Sequence, residues 1–180
     1  MQTNHNLFNE NLSTLAVSLP MNGSKRMNGT NRAKPLYFVR RSAIHGRGVF
    51  AARKIPKGTR VIEYRGQRVT HKEVDRRYPN LDESDNHTFL FEVDDKWVID
   101  AGVRGNAARW INHGCNPNCE TVEEDGRIYI EAIRDIRRGE ELTYDYNIVL
   151  EERHTPRVKQ IWACLCGARR CRGTILARKR

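Results

Sequence analysis

Long apolar runs are missing from this chain of 180 residues. No stretch approaches the ~18 consecutive apolar residues that a membrane-spanning helix needs, so no membrane span is expected. The opening 30 residues lack a basic start followed by an apolar core, so a secretory signal is not expected either. Cysteine is absent before position 115, and the five present stand at 115, 119, 164, 166 and 171. Apolar residues make up only 38% of the chain, little for a compact globule, so part of it is expected to stay unpacked. At this length one domain with a real core is expected, and two are not.

Cys164, Cys166 and Cys171 form a Cys-x-Cys-x4-Cys run. Without a secretory signal this reads as metal before disulfide, in a reducing, intracellular compartment. Structural zinc takes four such ligands, so Cys115 or Cys119 has to complete the set.

Acidic residues are absent from 164–180, where six arginines and lysines stand, giving +6. Residues 1–34 hold four bases and one acid, +3, and 35–163 hold 22 bases against 21 acids, +1. The net charge of +10 therefore belongs to the ends. Such ends solubilise a protein, or attract it to an anionic scaffold such as nucleic acid.

The segment 1–34, rich in Asn, Ser, Thr, Gly and Met, reads as a disordered or loosely attached arm, with a secretion address as the rarer alternative. From Leu36 onward the chain breaks into short β-branched and aromatic runs bounded by Gly and Pro, which predict strands. These are 36–39, 48–52, 60–64, 89–93, 97–99, 127–132 and 141–144. Thr70-His71-Lys72-Glu73 has the capping-box pattern of a short helix, with Val74 and Tyr78 on one face. Asn106–Ile111 predicts a helical turn. One echo recurs: Lys54-Ile55-Pro56-Lys57-Gly58 leads to Tyr64, and Asp135-Ile136-Arg137-Arg138-Gly139 leads to Tyr144. Each is an apolar anchor, a turn closed by Gly, then a strand delivering a tyrosine. The class expected is mainly β, built of small sheets.

Four motifs appear in order: His45-Gly46-Arg47-Gly48-Val49-Phe50, Asn112-His113-Gly114-Cys115-Asn116-Pro117-Asn118-Cys119, Tyr144-Asp145-Tyr146, and the cysteine run from Cys164 to Cys171. Together they resemble the SET-domain protein-lysine methyltransferases with their cysteine-rich post-SET tail. The resemblance runs from about Tyr37 to Thr174. Gly105-Asn106-Ala107-Ala108-Arg109-Trp110-Ile111 and the tail spacing are similar to the trithorax-type subgroup, and no cysteine-rich pre-SET module is present.

The resemblance implies a β-clip of several small sheets over 35–150, with the Asn112-His113 and Tyr144–Tyr146 segments crossing as a pseudoknot, and a post-SET zinc clip over 151–180. It implies methyl transfer from S-adenosylmethionine to a lysine amine, stopping mainly at mono- or dimethyl-lysine. Tyr146, Tyr144 and Tyr64 take the catalytic positions, and Phe89 and Phe91 line the lysine channel. Gly46, Arg47, Gly48, Asn112, His113 and Tyr146 hold the donor, capped by Leu165 or Trp162. The ligand pattern selects Cys115 with Cys164, Cys166 and Cys171 for zinc, leaving Cys119 a buried thiol. Two departures stand out: Gly114 replaces a usual Ser, and Phe89 replaces a tyrosine common in close relatives.

Between Leu81 and Asp95 stand Asp82, Glu83, Asp85, Glu92, Asp94 and Asp95, with no Lys or Arg. An acidic rim beside a lysine channel suits a basic substrate, a histone or histone-like tail. A catalytically silent SET-like module that binds a basic protein or nucleic acid is the alternative. The setting expected is the cytoplasm of a bacterium, or the nucleus and chromatin of a eukaryote or an invaded host. Oligomeric state is left open.

Overall fold

Four small sheets carry the domain in the computed structural model, which describes residues 34–79, 89–150 and 153–178. The expected N-terminal arm lies outside these residues except for Lys34, as do Asp82, Glu83 and Asp85 of the acidic stretch. The strands are β1 (Tyr37–Arg41), β2 (Arg47–Ala51), β3 (Arg60–Tyr64), β4 (Gln67–Thr70), β5 (Leu90–Glu92), β6 (Trp97–Asp100), β7 (Asn112–His113), β8 (Cys119–Glu124), β9 (Arg127–Ala132) and β10 (Thr143–Tyr144). Helix α1 spans His71–Arg77, a 3-10 turn spans Ala107–Trp110, and helix α2 spans Pro156–Ile161. The sheets are β1-β2, β3-β9-β8, β4-β6-β5 and the parallel pair β7-β10.

The repeated turn explains how the sheets are joined. Ile55 and Ile136 pair as an antiparallel bridge, with reciprocal N–H···O distances of 2.9 and 2.8 Å. Both isoleucines are fully buried. Gly58 and Gly139 close the two turns at φ of +78° and +82°, a region in which a side chain is strained. The strands that follow, β3 and β10, bring Tyr64 and Tyr144 into one core with Val49, Ile111, Ile130 and Leu142.

Helix α1 starts where its cap predicts: the Thr70 hydroxyl accepts from the Glu73 N–H at 3.3 Å. Glu73 does not reach back to complete the box; its carboxylate binds Arg76 and Arg77 instead. Val74 and Tyr78 pack on Val69 and Val98, as their spacing implies. Asp100, 1% exposed, ties the helix down by accepting from Arg77 at 2.9 Å and from the Tyr78 hydroxyl at 3.1 Å.

The short parallel pair is the keystone. Asn112 lies opposite Thr143 and His113 opposite Tyr144. Two residues make a weak ladder, and Asn118, 2% exposed, reinforces it. Its Oδ1 accepts from the Thr143 N–H at 2.9 Å, and its Nδ2 donates to the Glu141 carbonyl at 2.7 Å. Gly114 N–H donates to the Tyr144 carbonyl at 3.0 Å. A Cβ at Gly114 would meet Thr143 Oγ1 at 2.6 Å, so the glycine admits the threonine here.

Candidate active site

The ring-bearing residues converge from three sheets. Tyr64 on β3 meets Phe91 on β5 at 5.2 Å between centroids, Phe91 meets Tyr144 at 6.5 Å, and Tyr144 meets Tyr146 at 4.9 Å. Tyr146 also packs edge-on against His113 at 5.4 Å. The Tyr64 hydroxyl donates to the Phe89 carbonyl at 3.1 Å, and the Tyr146 hydroxyl to the Ile111 carbonyl at 2.8 Å. Burial raises the pKa of Tyr64, Tyr144 and Tyr146 above the ordinary tyrosine value. All three rings therefore present neutral hydroxyls.

Beside this aromatic row opens a cavity of about 500 Å³. Gly46, Arg47, Phe89, Asn112, His113, Tyr146 and Leu165 all line it. Ile161, Ala163, Cys164 and Ile175 of the C-terminal tail form part of its wall. Leu165 is 64% exposed, an apolar side chain at the cavity edge. Trp162 is absent from that lining; its carbonyl accepts from Thr174 and Ile175. Tyr64, Phe91 and Tyr144 stand behind the lining as packed core.

Gly48 does not line the cavity, contrary to the expectation that its missing side chain serves a ligand. A Cβ there would collide with the Glu141 carboxylate. That carboxylate accepts from the Ser42 hydroxyl at 2.7 Å and from Asn112 Nδ2 at 2.8 Å. The Asn112 amide also reaches the carbonyls of Arg47, at 2.9 Å, and His45, at 3.3 Å. Asn112 therefore shapes the 45–47 wall with its side chain. The geometry here depends on Glu141, which sequence reasoning did not single out.

His113 joins the cavity to the cysteines. Its Nδ1 accepts the Tyr146 N–H at 3.1 Å, and its Nε2 lies 3.3 Å from Cys115 Sγ. Burial pushes its pKa down to about 4, so the ring is neutral, with the proton on Nε2 facing sulfur. The near approach of Nδ1 to Asp145, 3.5 Å, is thus no ion pair.

The sulfur atoms of Cys115, Cys164, Cys166 and Cys171 all lie within 4.8 Å of one another. Cys115 Sγ stands 3.6 Å from Cys164 and 3.8 Å from Cys171. Four thiolates around one zinc at ~2.3 Å in a tetrahedron are about 3.8 Å apart, so the set fits that ion. Cys119 is fully buried outside the cluster, and burial pushes its thiol up to about 12. The sulfur that joins those of Cys164, Cys166 and Cys171 is that of Cys115, not Cys119.

One contact was not anticipated. Arg172 grips Asp145 with both amino groups, at 2.5 and 2.8 Å. Burial opposes ionisation of Asp145, and the Arg172 hydrogen bonds, the Asn147 N–H and the Arg172 charge together outweigh it, holding the carboxyl below its usual value. The nearest sequence signal was position: Asp145 stands between two site tyrosines, and Arg172 follows a metal-site cysteine.

With this geometry in hand, a family model described as the SET domain matches residues 46–147. The chain belongs to the SET-domain family. The chain is 46% identical over 144 residues to histone-lysine N-methyltransferase 2B of Homo sapiens, covering 78% of this chain and 5% of that protein. It is 44% identical over 149 residues to the H3 lysine-4 specific histone-lysine N-methyltransferase of Chaetomium globosum, covering 80% of this chain and 13% of that protein. Against histone-lysine N-methyltransferase trithorax of Drosophila melanogaster the identity is 43% over 138 residues, covering 74% of this chain and 4% of that protein. A solved structure, ctPRC2 in an autoinhibited conformation bound to S-adenosylmethionine, superposes with a TM-score of 0.57 at 34% identity, covering 63% of this chain and 15% of that one. The chain thus spans a small part of each relative.

Proposed function

We propose that this SET domain transfers methyl groups from S-adenosylmethionine to the side-chain amine of a lysine in a basic protein. The observation that carries the reading is Tyr146, which lines the cavity and also packs, tilted, against Tyr144 of the aromatic row. A donor in the cavity and an amine among the rings would meet at this residue. When bound, S-adenosylmethionine supplies an electrophilic methyl on a sulfonium.

The chain's own contribution is to hold a neutral amine in line. Free lysine titrates near 10.4, so a neutral amine at pH 7 costs about 4–5 kcal/mol. Dry aromatic walls disfavour the ammonium and so offset part of that cost. Tyr64, Tyr144 and Tyr146 keep their protons, so none adds a charge that would retain the ammonium, and the Tyr146 oxygen, whose own hydrogen goes to the Ile111 carbonyl, is left to accept from the amine. Gly46, Arg47, Asn112 and His113 form the donor wall, with Leu165 as its cap. Cys115, Cys164, Cys166 and Cys171 would hold zinc, which closes the tail over that wall.

The substrate we infer is a histone H3-type tail. The relatives named for H3 lysine-4 support it, and so do the exposed acids Glu92 and Asp95 beside the Phe91 strand. Asp94 contributes less than the sequence suggested, because its carboxylate closes the β5–β6 turn by accepting from Lys96 and Trp97. The relatives above are animal and fungal proteins, which favours a chromatin setting over a bacterial cytoplasm. There the basic C-terminal end would meet nucleic acid that carries the substrate.

Calorimetry separates this enzyme from a silent binding module. The chain is expected to bind S-adenosylmethionine, and His113→Ala to weaken that binding at least tenfold. A folded wild-type chain that shows no donor binding would leave the silent module as the function.

A further inference from the structure

Asp145 lies between the two site tyrosines, and nothing in the mechanism above uses it. Its carboxylate is clasped by Arg172, the residue after Cys171: Nη1 donates to Oδ2 at 2.5 Å and Nη2 to Oδ1 at 2.8 Å. A fork-to-fork pair fixes orientation as well as distance, which a single point contact does not. The side chains are 14% and 34% exposed, so this is not a solvated surface pair. Arg172 Nε is buried without a partner among the described residues, so the guanidinium makes its bonds to Asp145.

Arg172 works at both ends. Its backbone N–H donates to Cys115 Sγ at 3.3 Å, so its main chain touches the thiol cluster and its side chain holds the tyrosine turn. That turn is tight: Asn147 adopts a φ of +51°, and its N–H donates to Asp145 Oδ1 at 3.1 Å. His113 makes a second link, from Cys115 to the Tyr146 N–H. The Tyr146 backbone is thus braced from two sides by groups that start at the cysteine cluster.

We propose that Arg172 and Asp145 are positioning residues that lock the cysteine tail onto the Tyr144–Tyr146 turn and so fix the Tyr146 ring at the cavity wall. The inference rests on the methyltransferase reading for its kinetic consequence, but not for its structural one. Neither residue lines the cavity; each acts through Tyr146.

The test uses the whole, zinc-loaded chain with four variants: Asp145→Asn, Arg172→Ala, the two combined, and Arg172→Lys. Zinc content, amide hydrogen exchange over 143–148, and kcat with the donor KM are measured for each. Asp145→Asn should keep one zinc per chain, exchange the Tyr146 and Asn147 amides about tenfold faster, and lose kcat by a similar factor with a smaller change in donor KM. The combined variant should be no worse than either single one, because both remove one interaction. Arg172→Lys should recover only a little, since lysine cannot form the fork.

Unchanged exchange and kcat in zinc-loaded Asp145→Asn, or additive losses in the combined variant, would overturn the proposal. Should Arg172→Ala shed zinc, Asp145→Asn decides, because it touches no sulfur. A wild-type chain that transfers no methyl defeats the methyltransferase reading, and the exchange data then decide the clamp by themselves.

Discussion

Tyr144 and Tyr146 are two positions apart, yet only Tyr146 lines the cavity, while Tyr144 packs between Phe91 and Tyr146. This placement bears on how many methyl groups fit. A hydroxyl at Tyr144 can hold the amine or a water in the space an added methyl needs. Phenylalanine keeps the ring and removes that anchor. Wild-type protein is expected to stop mainly at mono- or dimethyl-lysine, and Tyr144→Phe to shift product toward trimethyl-lysine. Mass spectrometry of the products checks this, and dominant trimethylation by the wild type would count against it. His113 gives a pH prediction at the same scale. Its pKa falls from 6.5 to about 4 on folding, so the unfolded chain binds the proton first. Its contribution to stability is complete above pH 6.5 and is lost as pH falls toward 4. Between pH 7 and 5, the wild type should lose more stability than His113→Asn in denaturant titrations.

At the scale of elements, the 3-10 turn depends on one cap. Asn106 Oδ1 accepts from the Ala108 and Arg65 N–H groups at 3.3 Å each, and its Nδ2 donates to the Glu63 carbonyl at 2.7 Å. It thereby fastens the turn leading into Asn112 to the end of β3. Asn106→Ala should destabilise the fold by about 1–2 kcal/mol, read as a lowered thermal midpoint. The tail gives a sharper contrast. Cys166→Ser should lose zinc and weaken donor binding, because tail residues wall the cavity. Cys119→Ser should keep zinc, since Cys119 lies outside the cluster. Metal analysis with donor titration separates the two.

Elements differ in how far the sequence disclosed them. Strands with β-branched cores, such as β3 and β9, and the capped helix α1 follow from local pattern. β8, reading Cys-Glu-Thr-Val-Glu-Glu, shows little apolar signal because only Cys119 in it is buried. β7 and β10 have two residues each, and only distant pairing makes them strands. Helix α2 is six residues long, its start set by Thr155 and Pro156. The motifs led to one place in the fold: of the residues expected at the donor wall, Gly46, Arg47, Asn112, His113, Tyr146 and Leu165 line the cavity and Gly48 does not. Glu141, Asn118 and the Asp145–Arg172 pair were not legible, because their partners lie 22 to 99 residues away.

Over the whole molecule, the domain places a packed aromatic row beside a cavity, with Tyr146 shared between them. The cysteine tail closes one wall, and the twin Ile55–Ile136 turns hold the sheets that supply the tyrosines. The most direct test of the account is to incubate the zinc-loaded chain with labelled S-adenosylmethionine and core histones, beside Tyr146→Phe, and to map modified residues by mass spectrometry. Methyl groups on a lysine of the histone H3 tail with wild-type protein, reduced at least a hundredfold in Tyr146→Phe, are the predicted result. No labelled lysine on any core histone, from a chain that is folded and binds the donor, would contradict it.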